Sequence, residues 1–277
     1  MSGALVLGGG GVGGIAWMTG LLAGLDEAGQ DVTGVDLIVG TSAGASVAAQ
    51  LGSGLSLPEL HARQVEPDLQ AAEIMVDVDL ESWVAGIGAV MANASSVPEM
   101  RRAVGRWALD AATVPERERC AVIESRLPSR EWPIRALKLV AVDAESGEPR
   151  VFENESDVSL LDAVTASCAV PGVWPPATID GRRYIDGGVR GANADYAAGS
   201  SRVLIILPLG EVELFPTDKS LAEAVEELRA GGGEVAIVEP DEASRAAIGA
   251  NPLSPSTRKP AAAAGRAQGR GLTIVWD

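Results

Sequence analysis

Ser42 stands in the stretch Gly40-Thr41-Ser42-Ala43-Gly44, a serine framed by two glycines. The apolar run Val35-Asp36-Leu37-Ile38-Val39 leads into it and the small-residue run Ala45-Ser46-Val47-Ala48-Ala49 leads out, which predicts strand, tight turn and helix. In Gly-x-Ser-x-Gly at such a junction the chain reverses sharply at the serine. Side chains on either flank would collide, and glycine removes them. The hydroxyl then projects at a helix N-terminus, where free N–H groups and the positive end of the dipole gather. An oxyanion formed by attack on a carbonyl would be stabilised there. The same five residues also suit a glycine-rich turn closed by a capping serine, and alone they leave both readings open.

A serine nucleophile needs a proton acceptor. The chain has one histidine, His61, and a Ser-His-Asp hydrolase of the α/β type needs its histidine last in chain order. Count and order exclude that triad, and His61 reads as a surface or packing residue. The base must be a carboxylate or a lysine. Asp186 fits best: it ends a strand, and Gly187-Gly188 leave its surroundings open. A carboxylate near its ordinary pKa of about 3.9 would gain from partial desolvation in that role. Taken in isolation, Asp186-Gly187-Gly188 also reads as a plain turn.

These groups need elements to hold them. Ala4-Leu5-Val6-Leu7 predicts a buried strand, followed by the loop Gly8-Gly9-Gly10-Gly11-Val12-Gly13-Gly14 and a helix over about Ile15–Ala28. Strand, glycine loop and helix form an anion-binding arrangement that suits a pyrophosphate or a tetrahedral oxyanion. Gly8-x-Gly10-x-x-Gly13 matches the dinucleotide fingerprint, but the second strand ends in Gly40-Thr41-Ser42 where a ribose-reading carboxylate belongs.

Residues 58–135 read as a helical insertion, with apolar residues at helical spacing in Leu60–Ile74, Leu80–Met91 and Met100–Ala111 and prolines between. Trp83, Met91, Met100 and Trp107 within it read first as helix-packing core, with an acyl groove or lid as the alternative. Strand patterns return at Leu137–Val142 and Arg150–Phe152, and Asp180-Gly181 joins Ala177–Ile179 to Arg183–Ile185 as a hairpin. Between them Leu160–Ala169 reads as a short helix. Arg202–Leu207 and Glu234–Val238 read as strands, and Lys219–Ala230 and Asp241–Gly249 as helices. Pro255–Ala267 reads as a helix with Ser254 as N-cap, and Leu272–Trp276 as a closing strand.

At 277 residues the chain fits one large α/β domain with a substantial core, and one domain over 1–277 is the expectation. Lys and Arg total 22 against 38 Asp and Glu, a net charge of −16 that argues against nucleic acid and against adsorption to anionic membranes. Abundant glycine and alanine let helices pack closely. Cys120 and Cys168 form no disulfide framework or metal spacing and read as buried thiols of a reducing compartment. Residues 1–25 are uncharged, but they lack a basic start and are broken by glycines, so they read as strand, loop and helix, with the cytoplasm as the expected location.

The glycine loop, the serine elbow and Asp186-Gly187-Gly188, in that order, resemble the three motifs of the patatin-like phospholipases, a family of lipid acyl hydrolases. Ala166-Ser167-Cys168-Ala169-Val170-Pro171-Gly172-Val173-Trp174-Pro175-Pro176 resembles the segment preceding the family's aspartate. The resemblance implies a three-layer α/β/α fold with a mostly parallel sheet. It implies a dyad of Ser42 and Asp186 and an oxyanion hole from Gly9, Gly10 and Gly11 with Ala43. Gly8, Gly13, Gly40, Gly44, Gly187 and Gly188 fall on the motif glycines. It implies no metal and no cofactor, and a lipid or small acyl-ester substrate met in transient contact with a membrane surface. The loop departs from the family pattern at Gly13, where many members carry Arg or Lys. A catalytically weak lipid-binding module on the same fold is the competing expectation.

Overall fold

The computed structural model describes residues 2–75 and 79–276; residues 76–78 of the expected insertion and the two end residues of the expected domain lie outside the described residues. The chain runs β1 (Gly3–Leu7), α1 (Gly11–Glu27), β2 (Leu37–Thr41), α2 (Ala43–Leu51), α3 (Leu57–Val65), α4 (Leu80–Met91), α5 (Val97–Asp110), α6 (Glu116–Arg126), β3 (Ala136–Asp143), β4 (Pro149–Glu153) and α7 (Leu160–Ser167). It continues with β5 (Ala177–Ile179), β6 (Arg182–Asp186), β7 (Arg202–Ile206), α8 (Leu221–Ala230), β8 (Glu234–Val238), α9 (Glu242–Ile248) and α10 (Arg258–Gly271).

One sheet links these strands through β5–β6–β3–β2–β1–β7–β8, with β4 beside β3. β1, β2, β3, β7 and β8 pair in parallel, while β4, β5 and β6 join antiparallel. The parallel strands are apolar on both faces, as strands covered by helices on both sides must be. Leu5, Leu7, Ile38, Leu139, Leu204 and Ile206 face α1, α2, α7 and α10, whereas Ala4, Val6, Val39, Val203 and Ile205 face α8 and the turn Ala194–Ala197. This is the expected three-layer α/β/α arrangement.

The register at β3 positions the site. Val140 pairs with Thr41 of β2 and with Val151 of β4; Ala141 pairs with Asp186 of β6 and with Arg150 of β4. A strand has two edges, so β2 and β6 share the edge opposite β4. They meet on it end to end, β2 stopping at Thr41 one register step before Asp186.

Several expectations need correction. The first helix begins at Gly11, so half of the glycine loop is already helical. The helix expected to reach Ile74 stops at Val65, because Pro67 holds Glu66 extended at ψ 118 and a short 3-10 turn follows. The charged helix α6 has too few apolar residues to show a helical spacing in the sequence. As expected of the insertion at 58–135, the described residues between α2 and β3 form only helices: α4 and α5 cover the antiparallel end of the sheet around Val142 and Ile185, α3 packs on α1 and α10, and α6 packs on α7. Pro255–Thr257 is a 3-10 turn before α10, with no side-chain cap from Ser254. Leu272–Trp276 joins no strand; the Ile274 N–H instead donates to Gln30 Oε1 at 3.0 Å. Cys120 is only partly buried.

α10 lies against α1 with backbones in contact. A Cβ on Gly20 would stand 2.1 Å from the Ala262 carbonyl oxygen, and one on Gly24 2.2 Å from that of Arg266. Gly265 and Gly269 face the carbonyls of Trp17 and Leu21 as tightly, at 2.3 Å each. Glycine to alanine inside a helix ordinarily gains about 1 kcal/mol. At Gly24 the sign should reverse: Gly24→Ala lowers Tm, while Gly88→Ala in α4, where nothing lies within 4 Å of the added Cβ, raises it. Thermal unfolding of the two variants beside the parent checks this, and a Gly24→Ala protein as stable as the parent would refute the close packing.

Candidate functional site

Ser42 occupies the turn between β2 and α2 with φ 56 and ψ −117, a backbone region costly for any residue with a side chain. Gly40 and Gly44 permit it: a Cβ on Gly44 would lie 2.0 Å from the Leu7 carbonyl oxygen, and one on Gly40 2.8 Å from that of Gly44. Ser42 stands at the N-cap position of α2, but its side chain makes no capping hydrogen bond. The capping-serine reading therefore fails, and the hydroxyl is left for other work.

The carboxyl of Asp186 faces that hydroxyl. Its Oδ1 accepts from the Gly188 N–H at 2.8 Å, which turns the carboxyl at the strand end, while Oδ2 is buried and closes no hydrogen bond. Burial pushes the Asp186 pKa up to about 6; the Ser42 hydroxyl, the Gly188 N–H and the charge of Arg119 pull the other way. The plain-turn reading of Asp186-Gly187-Gly188 is half right, since the same residues make a turn and aim the carboxyl. Gly187 passes so close to β3 that a Cβ there would sit 2.2 Å from the Val140 carbonyl oxygen.

The glycine loop closes the third side. Gly8 and Gly44 are tied into the frame: the Gly8 N–H donates to Ile206 O at 2.9 Å, and the Gly44 N–H to Gly8 O at 3.0 Å. The N–H groups of Gly9, Gly10, Gly11 and Ala43 donate to no backbone carbonyl or side chain among the described residues. Gly9 lies against Ser42, a Cβ there falling 3.9 Å from Oγ. The Gly13 N–H donates to Pro252 O at 2.9 Å, and a side chain at position 13 would run into Thr257 and Ile248. The segment before α10 thus fills the space that a longer residue there would need.

Ser42, Asp186 and Gly9 to Gly11 line a cleft of about 340 Å³ whose other walls are apolar: Leu80, Trp83, Val170, Val173, Leu209, Phe215 and Leu253 among them. Trp83 is fixed there by its indole N–H, which donates to Pro171 O at 2.8 Å. Of the four residues weighed as core or groove, Trp83 lines the cleft, Met100 is helix-packing core, Met91 packs partly buried against that core, and Trp107 packs on Gly172. His61 is buried between α3 and α10, with Arg266, Glu27 and Arg270 as its charged neighbours, and takes no part in the cleft. The described residues hold no cluster of His, Cys, Asp or Glu suited to a metal.

The sequence model of the family described as Patatin-like phospholipase matches residues 5–198. The chain belongs to that family. Lipid acyl hydrolysis is the general chemistry of patatin-like proteins. Two solved structures are similar: VipD from Legionella pneumophila, at 14% identity over 75% of this chain and 49% of that one with a TM-score of 0.42, and the type III effector protein ExoU, at 18% identity over 98% of this chain and 52% of that one with a TM-score of 0.41. The chain spans about half the length of these two proteins. Beyond the family match, β7, β8 and α10 complete the sheet and brace α1 in this patatin-like chain. No helix among the described residues is long and apolar enough to cross a membrane.

Supporting residues were missed from sequence. The Ser42 N–H donates to Ser167 Oγ at 3.0 Å, and that hydroxyl donates to Val140 O at 2.6 Å. Cys168 Sγ donates to Ser42 O at 3.0 Å. Asn193, at φ 60, donates from Nδ2 to Thr41 Oγ1 at 3.0 Å and to Gly187 O at 3.2 Å, joining the two motifs. Only the Ser167-Cys168 pair carried a signal, as part of the segment quoted above.

Asp186 costs the fold stability at neutral pH. Its pKa in the folded chain exceeds the ordinary 3.8, so the folded state holds a proton that the unfolded state has lost between about pH 4 and 6. Stability falls as pH rises through that window, and the penalty is complete above it. Asp186→Asn should therefore raise stability by about 3 kcal/mol at neutral pH, with the gain vanishing near pH 4. Thermal melts of both proteins across pH measure it; a variant less stable than the parent at neutral pH would contradict the burial argument.

Proposed function

We propose that the chain is a serine acyl hydrolase acting on lipid esters through Ser42 and Asp186. The observation that carries this reading is an uncapped Ser42 hydroxyl on a strained turn, facing a buried carboxylate beside unused N–H groups. Asp186 takes the Ser42 proton as Oγ attacks the ester carbonyl. The oxyanion of the tetrahedral intermediate accepts hydrogen bonds from Gly9, Gly10 and Gly11, with Ala43 at the start of α2. Collapse expels the alcohol, which takes the proton from Asp186 and leaves an acyl ester on Ser42. Water gives its proton to Asp186, attacks the acyl carbonyl and releases the fatty acid, and the proton returns to Ser42. The raised Asp186 pKa suits it to pass a proton both ways near neutral pH.

Ser42→Ala and Asp186→Asn should each lower turnover of a short-chain p-nitrophenyl ester by at least about 100-fold. A fluorophosphonate should label the parent at Ser42 and leave Ser42→Ala unlabelled. For the parent, kcat/KM should rise with pH through about 6 as Asp186 ionises. Equal turnover in all three proteins would end the dyad. Absent labelling with retained lipid binding would favour the non-catalytic lipid module.

The mouth of the cleft supports a membrane-facing orientation. Val84, Leu209 and Leu214 line it and are 56%, 42% and 47% exposed. With a chain charge of −16, the matching surface is a zwitterionic bilayer rather than an anionic one. The double variant Leu209→Ser with Leu214→Ser should lose turnover on phosphatidylcholine vesicles while keeping that on a soluble ester. Equal losses on both substrates would argue against docking.

A further inference from the structure

Among the described residues the buried arginines are partnered, with one exception. Arg126 and Arg258 share Glu73, Arg126 at 2.7 Å, and Arg101 pairs with Asp218. Arg119, on α6, is 4% exposed, yet its Nε and Nη1 have no hydrogen-bond partner and no carboxylate meets it among the described residues. Its guanidinium carbon sits over the Trp174 ring, 3.8 Å from the centroid. A face stacked on an aromatic ring leaves the in-plane N–H groups free for an acceptor.

Arg119 lines a recess of about 20 Å³ together with Ser42, Ala43 and Trp174. Gly11, Ser42, Val170 and Leu253 line both this recess and the apolar cleft, so the two adjoin beside Ser42. Its size admits about one water or one oxygen atom of a larger ligand. Three guanidiniums stand behind this wall, and among the described residues Glu73 is the carboxylate paired there, with Arg126 and Arg258; Asp186 attracts Arg119 without touching it. Burial pushes the Arg119 pKa down, to about 9, which leaves it charged at neutral pH. An unpaired buried charge is costly, and an arriving anion removes that cost.

We infer that Arg119 anchors an anionic oxygen of the amphiphile whose chain fills the cleft. The inference rests on the acyl-cleft reading above. Two sources share this chemistry: the carboxylate of the released fatty acid and the phosphate of a lipid headgroup. The apolar walls hold the chain, the glycine-loop N–H groups hold one oxygen at Ser42, and a second oxygen reaches through the recess to Arg119. Arg119 thus selects amphiphiles that carry charge next to the ester position.

The test uses the full chain carrying Ser42→Ala, so that nothing turns over. Dodecanoate, dodecyl phosphate and dodecanol are titrated calorimetrically at neutral pH, with and without Arg119→Met. At least one anion should bind about tenfold or more tighter than the alcohol. That advantage should vanish in Arg119→Met and partly return in Arg119→Lys. The anion that loses more identifies the source. An advantage unchanged by Arg119→Met overturns the inference alone, as does equal binding of all three ligands. Failure of every amphiphile to bind overturns the acyl-cleft reading and this inference with it. Thermal unfolding checks the scaffold. Replacing an unpaired buried charge with an apolar side chain should leave Tm level or higher, so Arg119→Gln is the fallback where Arg119→Met melts early.

Discussion

The carbonyl of Val140 is the point on which the site is hung. Ser167 Oγ donates to it and in turn accepts the Ser42 N–H, so the turn carrying the hydroxyl is tied to β3 through one side chain. Gly187 passes against the same carbonyl closely enough that only a hydrogen fits. One register step later Ala141 pairs with Asp186. Two residues 144 positions apart in sequence are therefore neighbours because two strands share one edge of a third. Asn193 fastens the junction from the other side by bonding both strand ends. Displacement of any of these atoms would move the hydroxyl relative to the carboxyl, and proton transfer tolerates little such motion.

Charge inside the molecule runs opposite to charge outside. The chain is strongly acidic overall, yet the wall behind the cleft buries Arg119, Arg126 and Arg258, of which Arg126 and Arg258 share Glu73. Asp186 and Arg119 each carry a burial penalty that shifts them toward neutrality, and each is opposed by the other's charge. Neither shift serves the fold. Unsatisfied buried charge close to a hydroxyl is stability given up at a site, a common feature of places where chemistry or binding occurs.

The glycine loop depends on a helix far away in sequence. α1 begins inside the loop, and its position decides where the N–H groups of Gly9 to Gly11 point. α10 fixes that position through backbone contact at Gly20, Gly24, Gly265 and Gly269, and the segment before α10 takes the Gly13 N–H. The absence of a side chain at position 13 follows from the same packing. A loop rich in glycine would otherwise be the softest part of the site.

What the sequence determined was local. The turn at Ser42, the hairpin at Asp180-Gly181, the glycine loop and the apolar strands follow from sterics within a few residues, where a glycine or a positive φ leaves few alternatives. The motifs in order also made the three-layer sheet legible, through the resemblance to the patatin-like family that they carry together. Tertiary structure alone decided the rest. It laid β6 antiparallel on the edge vacated by β2, brought α10 onto α1, set Trp83 in the cleft wall and left Arg119 without a carboxylate among the described residues. None of these has a local signal, because each is fixed by which surfaces remain to be buried once the sheet has formed. Pairing between distant residues is a matter of register and packing, and those become defined only when the whole core closes.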